Sequence, residues 1–255
     1  MSSATTPTSK PTDWRVATVI QIRPEAPGLR TFTFKFDNPV QHLAGQHYEI
    51  RLTAEDGYQA ARLYSAANPA SGDSNILELT IALMPYGEVS PYLFQQVTSG
   101  TQLEIRGPLG RHFVWTPDIT ESVLLIGGGT GVVPLRAMRM QHQHECSNSQ
   151  MKLLYSVRSY YDMAYKYEVF PKSGQPSGDV IMTFTDMQPD GWNGYSRRID
   201  AEMIHEVLSQ FKSQPIAFVC GPTPMVEAVS SLLVAAGISP ERIKTERFGS
   251  TGDGR

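Results

Sequence analysis

The sequence contains only two cysteines in 255 residues, Cys146 and Cys220. Two thiols form at most one bridge, so a disulfide framework is excluded. An iron–sulfur cluster held by four thiolates of this chain is excluded for the same reason. With 40% hydrophobic residues, we expect the protein to be held together by apolar packing rather than by cross-links.

Long apolar runs and a surplus of positive charge are also missing. The longest apolar stretch, residues 123–135, is interrupted by glycines and is shorter than the roughly 20 residues that cross a bilayer, so no membrane span is expected. Lys and Arg number 22 against 25 Asp and Glu, which argues against nucleic acid as a partner. The Ser/Thr/Pro-rich residues 1–12 lack the apolar core of a secretory signal. We therefore predict a disordered tail there and a cytoplasmic protein.

Apolar residues recur with a period of two between Trp14 and Ile105. Phe32, Phe34 and Phe36 alternate with polar neighbours, and turn-forming residues separate successive runs of this kind. Period two is typical of strands with one buried face. Several short strands in succession predict an antiparallel β-barrel over residues 13–116, because closure removes exposed strand edges.

After Thr116 the pattern changes to aliphatic runs alternating with helical stretches. Residues 123–126 form a buried strand, glycines follow, and a helix is predicted to open at Pro134. The same order recurs in strands 153–157, 180–185 and 216–219 with helices 163–170, 201–211 and 224–236. Thr223 is the predicted N-cap of the last helix. This alternation predicts an α/β doubly wound parallel sheet over residues 117–255, with ligands at the carboxyl ends of its strands.

A glycine-rich loop, Gly127-Gly128-Gly129-Thr130-Gly131, joins the first parallel strand to its helix. Glycines let backbone amides approach a diphosphate, and a helix N-terminus adds partial positive charge. We therefore predict that Gly128, Gly129, Thr130 and Gly131 bind a cofactor. The loop has neither the GxGxxG spacing nor the lysine of a P-loop, so ATP cleavage is not supported. The structural alternative is a tight turn that requires positive φ.

Three further features carry groups suited to a nucleotide cofactor. Arg62-Leu63-Tyr64-Ser65 offers a guanidinium for phosphate, a ring for stacking and a hydroxyl for a ring nitrogen. Gly87-Glu88-Val89-Ser90 offers amides and a hydroxyl to an anion, and Cys220-Gly221-Pro222 ends the fourth parallel strand. The alternatives are a solvated strand edge for Arg62 and a small core residue for Cys220.

Two other clusters have simpler interpretations. His142, His144 and Cys146 resemble metal ligands, but residues two apart on a helix point in different directions, so no metal site is predicted. A tyrosine-rich stretch contains Tyr160, Tyr161, Tyr165 and Tyr167. We interpret it as an amphipathic helix with Tyr161 and Tyr165 on one face, where one ring could flank an adenine.

In this order, these features resemble the ferredoxin–NADP reductase superfamily of flavin oxidoreductases, from about Trp14 to Gly249. Arg62-Leu63-Tyr64-Ser65 is similar to the flavin-binding signature, and Gly107-Pro108-Leu109-Gly110 to the domain-joining turn. The resemblance implies an FAD-binding barrel followed by an NAD(P)-binding α/β domain. Tyr64 would stack on the isoalloxazine and Ser65 would reach its N5. Arg62 and residues 87–90 would bind the diphosphate, which implies FAD rather than FMN.

The segment Glu246-Arg247-Phe248-Gly249 resembles the C-terminal part of the family, where an acid and an aromatic lie beside the flavin. The resemblance implies a catalytic group that comprises Ser65, Cys220, Glu246 and Phe248. The sequence departs from the family pattern in two places. Ala66 replaces a hydroxyl residue, and the chain continues through Ser250 to Arg255.

The family's adenine-end contacts follow the second and third parallel strands, which implies roles for Arg158, Thr185 and Asp186, with Arg198 nearby. Guanidinium groups suit the 2′-phosphate of NADPH, whereas a carboxylate suits the free ribose of NADH. Arg158 and Arg198 therefore favour NADPH slightly, while Asp186 favours NADH. Both coenzymes remain open.

The expected function is transfer of electrons from NADPH or NADH through FAD to a separate protein acceptor, such as a ferredoxin, flavodoxin, haem protein or oxygenase component. Cofactors of this kind carry the redox chemistry, and the protein supplies positioning and electrostatics. One alternative is a flavin reductase that releases free reduced flavin. Another is a non-catalytic flavin-binding electron-transfer subunit.

Overall fold

A computed structural model describes residues 10, 12–70, 73–145, 148–170 and 176–249. The tail predicted over residues 1–12 falls outside these ranges except for Lys10 and Thr12, and so do Cys146 and the extension Ser250 to Arg255. Among the helices of the described ranges, none is both long enough and apolar enough to cross a bilayer.

The N-terminal part is an antiparallel sheet of six strands. These are β1 (Arg15–Ala26), β2 (Leu29–Lys35), β3 (His47–Thr53), β4 (Gln59–Ser65), β5 (Ile76–Ala82) and β6 (Gln102–Leu109), with helix α1 (Val89–Gln95) between β5 and β6. The strand order is β4-β3-β6-β1-β2-β5. An antiparallel bridge between Ala66 and Leu79 joins the two edges, and Ala67 N donates to Glu78 O at 2.8 Å. The predicted antiparallel barrel is confirmed.

The period of two fills the barrel interior. Phe32, Phe34 and Phe36 are each at most 2% exposed and pack with aliphatic residues of the neighbouring strands. Helix α1 adds Val89 and Leu93 to the same core. The barrel is therefore a packed unit whose outer face and rim remain for ligand binding.

The C-terminal part is a parallel sheet of five strands. These are β7 (Val123–Gly128), β8 (Met151–Ser159), β9 (Val180–Met187), β10 (Ile216–Pro222) and β11 (Ile243–Phe248). Its helices are α2 (Val132–His144), α3 (Lys166–Val169), α4 (Ala201–Leu208) and α5 (Thr223–Ala235). One apolar cluster covers α2 and α3 and another covers α4 and α5, so helices pack on both faces and the doubly wound prediction is confirmed.

The strand order β11-β10-β7-β8-β9 reverses direction between β7 and β10. At such a switch point the connections leave toward opposite faces and open a crevice at the carboxyl ends of the two strands. The glycine loop follows β7, and Cys220 lies near the end of β10. The topology alone therefore brings these two predicted features together.

The predicted helix over residues 163–170 is wrong. Only α3 is helical there, and Tyr161 lies in a separate single 3₁₀ turn. The Ser159 hydroxyl accepts from the N–H groups of Tyr161 and Asp162, which favours a turn over a helix. Tyr165 has a left-handed φ of 53°, and its hydroxyl donates to Thr80 Oγ1 in the barrel at 2.6 Å. Tyr161 and Tyr165 therefore do not share a helix face.

The N-cap prediction for Thr223 is also wrong, since Pro222 occupies the N-cap position and Thr223 is the first residue of α5. The physical reason lies in β11, a strand that the sequence pattern did not reveal. Pro222 pairs with Phe248 of β11, so β10 continues to the residue directly before the helix. No separate capping residue remains between strand and helix.

The barrel and the parallel sheet share one apolar core. Ala44, Phe113 and Trp115 of the N-terminal part belong to the same buried cluster as α2 and β10. The rings of Phe113 and Phe218 meet edge to face with centroids 5.5 Å apart. A shared apolar core of this kind disfavours independent movement of the two units.

A buried cation completes this interface. Arg136 on α2 is 7% exposed, and its Nη1 donates to the carbonyl of Ala67 at 2.7 Å. Burial disfavours its charge most strongly, but hydrogen bonds to Glu168 together with the charges of Tyr165, Glu168 and Glu78 outweigh it, so the pKa of Arg136 is raised above its usual value. The guanidinium therefore remains charged between the two units.

A glycine-to-alanine substitution at Gly45 tests the tightness of the shared core. Gly45 has φ +104°, and a Cβ there would overlap the Phe113 carbonyl oxygen and lie 2.5 Å from Met138 Cε. We expect Gly45→Ala to lower the free energy of unfolding by about 2–4 kcal/mol, since backbone strain and overpacking add. Thermal unfolding measures the loss.

The matched control is Gly57→Ala. Gly57 has a similar φ of +87° but has no atom within 4 Å of its ideal Cβ position. It should suffer only the backbone penalty, about 1 kcal/mol. Equal losses in the two variants would contradict the tight contact at Gly45.

Candidate functional site

The end of β4 presents a ring and an unsatisfied hydroxyl side by side. Tyr64 packs against the barrel core while half-buried, and burial, opposed by the charge of Arg62, raises the pKa of Tyr64 to about 12. Ser65 is 5% exposed, and its Oγ has no hydrogen-bond partner among the described residues. Leu63 is 54% exposed. A planar ligand with a polar edge fits this pair.

The structure brings Arg62 to the turn that precedes α1. Arg62 Nη2 donates to Glu88 Oε2 at 3.2 Å, and the Tyr58 hydroxyl donates to Glu88 Oε1 at 2.5 Å. Ser90 Oγ accepts from the N–H of Met84 at 2.9 Å. The predicted residues Gly87, Glu88, Val89 and Ser90 thus lie beside Arg62. A diphosphate bound here would replace the Glu88 carboxylate on the guanidinium.

The glycine loop follows β7 as a single 3₁₀ turn, Gly129–Gly131, before α2. Gly129 has φ +53° with open space around it. A Cβ at Gly131 would overlap the Cys220 carbonyl oxygen, and one at Gly128 would overlap the Met225 sulfur. The close approach of the β10 backbone therefore requires glycine at position 131, while the Met225 side chain limits the space at Gly128. Thr130 is half-buried between them.

Cys220 lies at the centre of the switch point. It is fully buried and pairs in register with Gly127 on one side and Glu246 on the other. Burial first, and the charge of Glu246 second, raise the pKa of the Cys220 thiol, so the group is a neutral thiol at physiological pH. Gly221 and Pro222 continue β10 to the rim of the crevice.

An acid on β11 faces the barrel. Glu246 Oε1 lies 3.4 Å from Nδ1 of His47, while Oε2 is buried without a partner in the described ranges. His47 is the cross-strand neighbour of Ser65, and such neighbours share a face of the sheet. Ser65, His47, Glu246 and Cys220 therefore meet at one junction. The sequence analysis missed His47, although its register opposite Ser65 follows from a β3–β4 hairpin.

Two buried oxygens at this junction, Ser65 Oγ and Glu246 Oε2, lack partners among the described residues, and so does Thr223 Oγ1 at the start of α5. Thr223 follows Pro222, which pairs with the half-buried Phe248. An unsatisfied buried polar atom costs free energy, so such atoms commonly mark a ligand site. The residues present thus fit a heterocycle that offers hydrogen bonds along its edge.

The predicted adenine-end residues lie along the carboxyl edge of β8 and β9. Arg158 has a side chain 76% exposed, with Nη2 3.2 Å from Asp162 Oδ1. Thr185 and the exposed Asp186 are near the end of β9. Tyr195 bridges in parallel to Thr183, so Arg198 runs toward the same edge. Groups of both signs are therefore available to a ribose or a phosphate.

The histidine cluster has a structural explanation. The ring of His142 meets Trp115 with centroids 5.5 Å apart, and its Nε2 is 2.9 Å from Ser149 O. Cys146 is outside the described residues. Within the described residues no group of three or more His, Cys, Asp or Glu side chains could hold a metal ion.

Two family models match the chain and together span most of it. The oxidoreductase FAD-binding domain matches residues 17–114, and the oxidoreductase NAD-binding domain matches residues 125–231. The chain belongs to the ferredoxin reductase-like family. The cofactors of this chain are therefore FAD and a nicotinamide dinucleotide, as the sequence resemblance implied.

The chain is similar to several curated proteins over most of its own length. The phenol hydroxylase P5 protein of Acinetobacter pittii is 27% identical over 93% of this chain and 66% of its own length. The glycine betaine monooxygenase reductase subunit of Pseudomonas aeruginosa is 28% identical over 91% of this chain and 63% of its length. The chain thus spans about two thirds of these curated relatives. The crystal structure of the Amycolatopsis cytochrome P450 reductase GcoB matches with a TM-score of 0.78 and 28% identity, over 92% of this chain and 70% of that chain.

Replacement of Tyr64 tests the assignment of the flavin ring to β4. We expect Tyr64→Ala to weaken FAD binding by about 1–3 kcal/mol, which is roughly 5- to 150-fold in Kd, because stacking and burial are lost. Equilibrium titration of the apoprotein with FAD measures the change.

Tyr167→Ala is the matched control, because that ring is 79% exposed on α3. Its FAD affinity should equal that of the unmodified protein. A Tyr64→Ala variant with unchanged FAD affinity would remove this residue from the flavin site.

Proposed function

We propose that this reductase passes electrons from NADPH or NADH through FAD to a separate protein acceptor. The observation that carries the proposal is the junction where His47, the cross-strand neighbour of Ser65, lies 3.4 Å from Glu246, the register partner of Cys220. Ser65 and Glu246 each have an unsatisfied oxygen there. Residues 13–116 would form the FAD-binding domain and residues 117–255 the coenzyme-binding domain.

The protein groups in this proposal bind, orient and shield. Tyr64 stacks on the flavin ring, and Ser65 hydrogen-bonds its edge. Arg62 and the Gly87–Ser90 turn hold the diphosphate. Cys220 and Glu246 flank the nicotinamide, and Phe248 covers the flavin when the coenzyme is absent. The bound cofactors supply the hydride and single-electron chemistry.

An oxygenase component is the acceptor class that the relatives favour. Two relatives are called a glycine betaine monooxygenase reductase subunit and a reductase component of phenol 2-monooxygenase. These 255 residues hold two cysteines, fewer than a four-thiolate cluster needs, so we infer that electrons leave this chain from the flavin. A cytoplasmic location belongs to the same proposal, supported by the free thiol of Cys220.

Anaerobic mixing of the FAD-loaded protein with NADPH and, separately, NADH tests this function. We expect the flavin absorbance to bleach after mixing with at least one of the two coenzymes. It should return when a one-electron acceptor such as ferricyanide is added. Gel filtration after bleaching should leave the flavin with the protein. Reduced flavin in the small-molecule fraction would instead indicate a flavin reductase, and bound FAD that no coenzyme bleaches would indicate a non-catalytic subunit.

Coenzyme preference depends on the balance of charges at the carboxyl edge of β9. We expect Asp186→Arg to raise the ratio of kcat/KM for NADPH over NADH by about tenfold or more, since a carboxylate that repels a 2′-phosphate is replaced by a charge-assisted donor. Arg158→Ala and Arg198→Ala should lower the same ratio. The ratio cancels general damage to the flavin site.

Asp190→Arg is the control, because Asp190 is also exposed, lies four residues further along the chain and is not a predicted contact. Its ratio should stay at the unmodified value. Our placement of the adenine end would be overturned if the ratio of kcat/KM for NADPH over NADH stayed unchanged in all three variants, at Asp186, Arg158 and Arg198.

A further inference from the structure

Arg136 is a buried cation for which the proposed chemistry has no use. Its Nη1 donates to Ala67 O at 2.7 Å and lies 3.3 Å from Glu78 Oε2. Its Nε and Nη2 donate to the two carboxylate oxygens of Glu168, both at 2.6 Å. Three of these four hydrogen bonds from Arg136 are short, so acceptors on several sides fix the position of the guanidinium.

The partners of Arg136 connect the two cofactor sites. Ala67 lies two residues beyond Ser65, and its N–H donates to Glu78 at the seam that closes the barrel. Arg136 itself lies on α2, which begins directly after the Gly129–Gly131 turn. One side chain thus joins the end of the flavin strand to the helix that carries the coenzyme loop.

A second link runs beside the first. The Tyr165 ring lies under the guanidinium of Arg136, 4.4 Å from its carbon. The Tyr165 hydroxyl donates to Thr80 Oγ1 at 2.6 Å, and Thr80 Oγ1 is 2.7 Å from Thr31 Oγ1. Tyr165 adopts a left-handed φ of 53°, which is unfavourable for a residue with a bulky side chain. Contact with the barrel, rather than local preference, therefore sets this conformation.

The arrangement allows one relative orientation of the two units. Movement of the parallel sheet against the barrel would break the hydrogen bonds from Arg136 to Ala67 and Glu78. It would also break the bond from Tyr165 to Thr80. A buried charge that loses part of its hydrogen-bond network is strongly disfavoured. Apolar packing alone tolerates small sliding, whereas directional hydrogen bonds to a fixed guanidinium do not.

We propose that Arg136 is a positioning residue that fixes the orientation of the coenzyme-binding unit relative to the barrel. Through that orientation it sets the distance for hydride transfer, so this inference rests on the proposed function. The bound cofactors would supply that chemistry: a hydride, which is one proton with two electrons, would pass from the reduced nicotinamide to the flavin, which would take up the proton and both electrons. No further reactant is required. Rates of such steps fall steeply with sub-ångström misplacement.

The chain offers a matched control on the same helix. Arg139 lies three residues after Arg136 and has a side chain 11% exposed. It donates to both carboxylate oxygens of Asp179 at 2.5 and 2.9 Å. Asp179 belongs to the parallel-sheet unit, directly before β9. Arg139→Met therefore removes a comparably buried ion pair without touching the barrel.

The experiment compares Arg136→Met with Arg139→Met in the FAD-loaded full chain. Calorimetry follows unfolding, titrations give the Kd of FAD and of the coenzyme, and stopped-flow absorbance gives the limiting rate of flavin reduction at saturating coenzyme. Both variants should unfold at lower temperature. Only Arg136→Met should reduce the limiting rate, by about tenfold or more, with both Kd values unchanged, and only it should split unfolding into two transitions.

A limiting rate for Arg136→Met equal to that of Arg139→Met, together with a single unfolding transition, would overturn the proposal. If Arg136→Met fails to fold, Tyr165→Phe replaces it, because this variant keeps the ring under the guanidinium and removes only the bond to Thr80. It should lower the limiting rate by a smaller factor, and an unmodified rate would count against the proposal. If coenzyme does not reduce the flavin of the unmodified protein, the proposed function fails. The calorimetric comparison still tests whether Arg136 fixes the orientation of the two units.

Discussion

The structure depends on a charged group that neither half of the molecule can satisfy alone. Arg136 takes Glu168 from its own parallel-sheet unit and Ala67 and Glu78 from the barrel. Because a buried guanidinium needs these acceptors together, the two halves form one body around a shared apolar core. In the proposed function, the facing cofactor sites follow from this, because Arg136 joins the residues just beyond β4 to α2, the helix that follows the glycine loop.

The chemistry of the junction follows from the same geometry. Parallel pairing places Cys220 between the glycine loop and Glu246, and burial keeps it a neutral thiol. Ser65 and Glu246 keep unsatisfied oxygens on opposite sides of the junction. A ligand bound between these walls can donate hydrogen bonds to both oxygens. This removes the free-energy cost of burying them without partners. The site therefore suits a ligand whose polar edge can hydrogen-bond to both walls.

Sequence periodicity predicted the barrel and the doubly wound sheet because burial repeats locally, as in Phe32, Phe34 and Phe36. Tyr64, Ser65 and Cys220 were singled out as predicted site residues by motifs that are contiguous in the chain and by the family resemblance, not by periodicity. The helix over residues 163–170 was wrong because Tyr165 is held by Thr80, a contact 85 residues distant in the sequence. Strand β11 and Arg136 were missed for a related reason, because each is defined by partners from distant elements, which no local pattern encodes. His47 differs, since its place opposite Ser65 follows from the register of the β3–β4 hairpin.

The most direct test of two cofactors held face to face is single-turnover flavin reduction with coenzyme deuterated at C4 of the nicotinamide. Two samples are compared, one labelled on each face of the ring. A fixed orientation presents one face to the flavin, so we expect a primary isotope effect with one label and none with the other. Equal isotope effects with both labels, or loss of deuterium to solvent before flavin reduction, would contradict direct transfer across this junction.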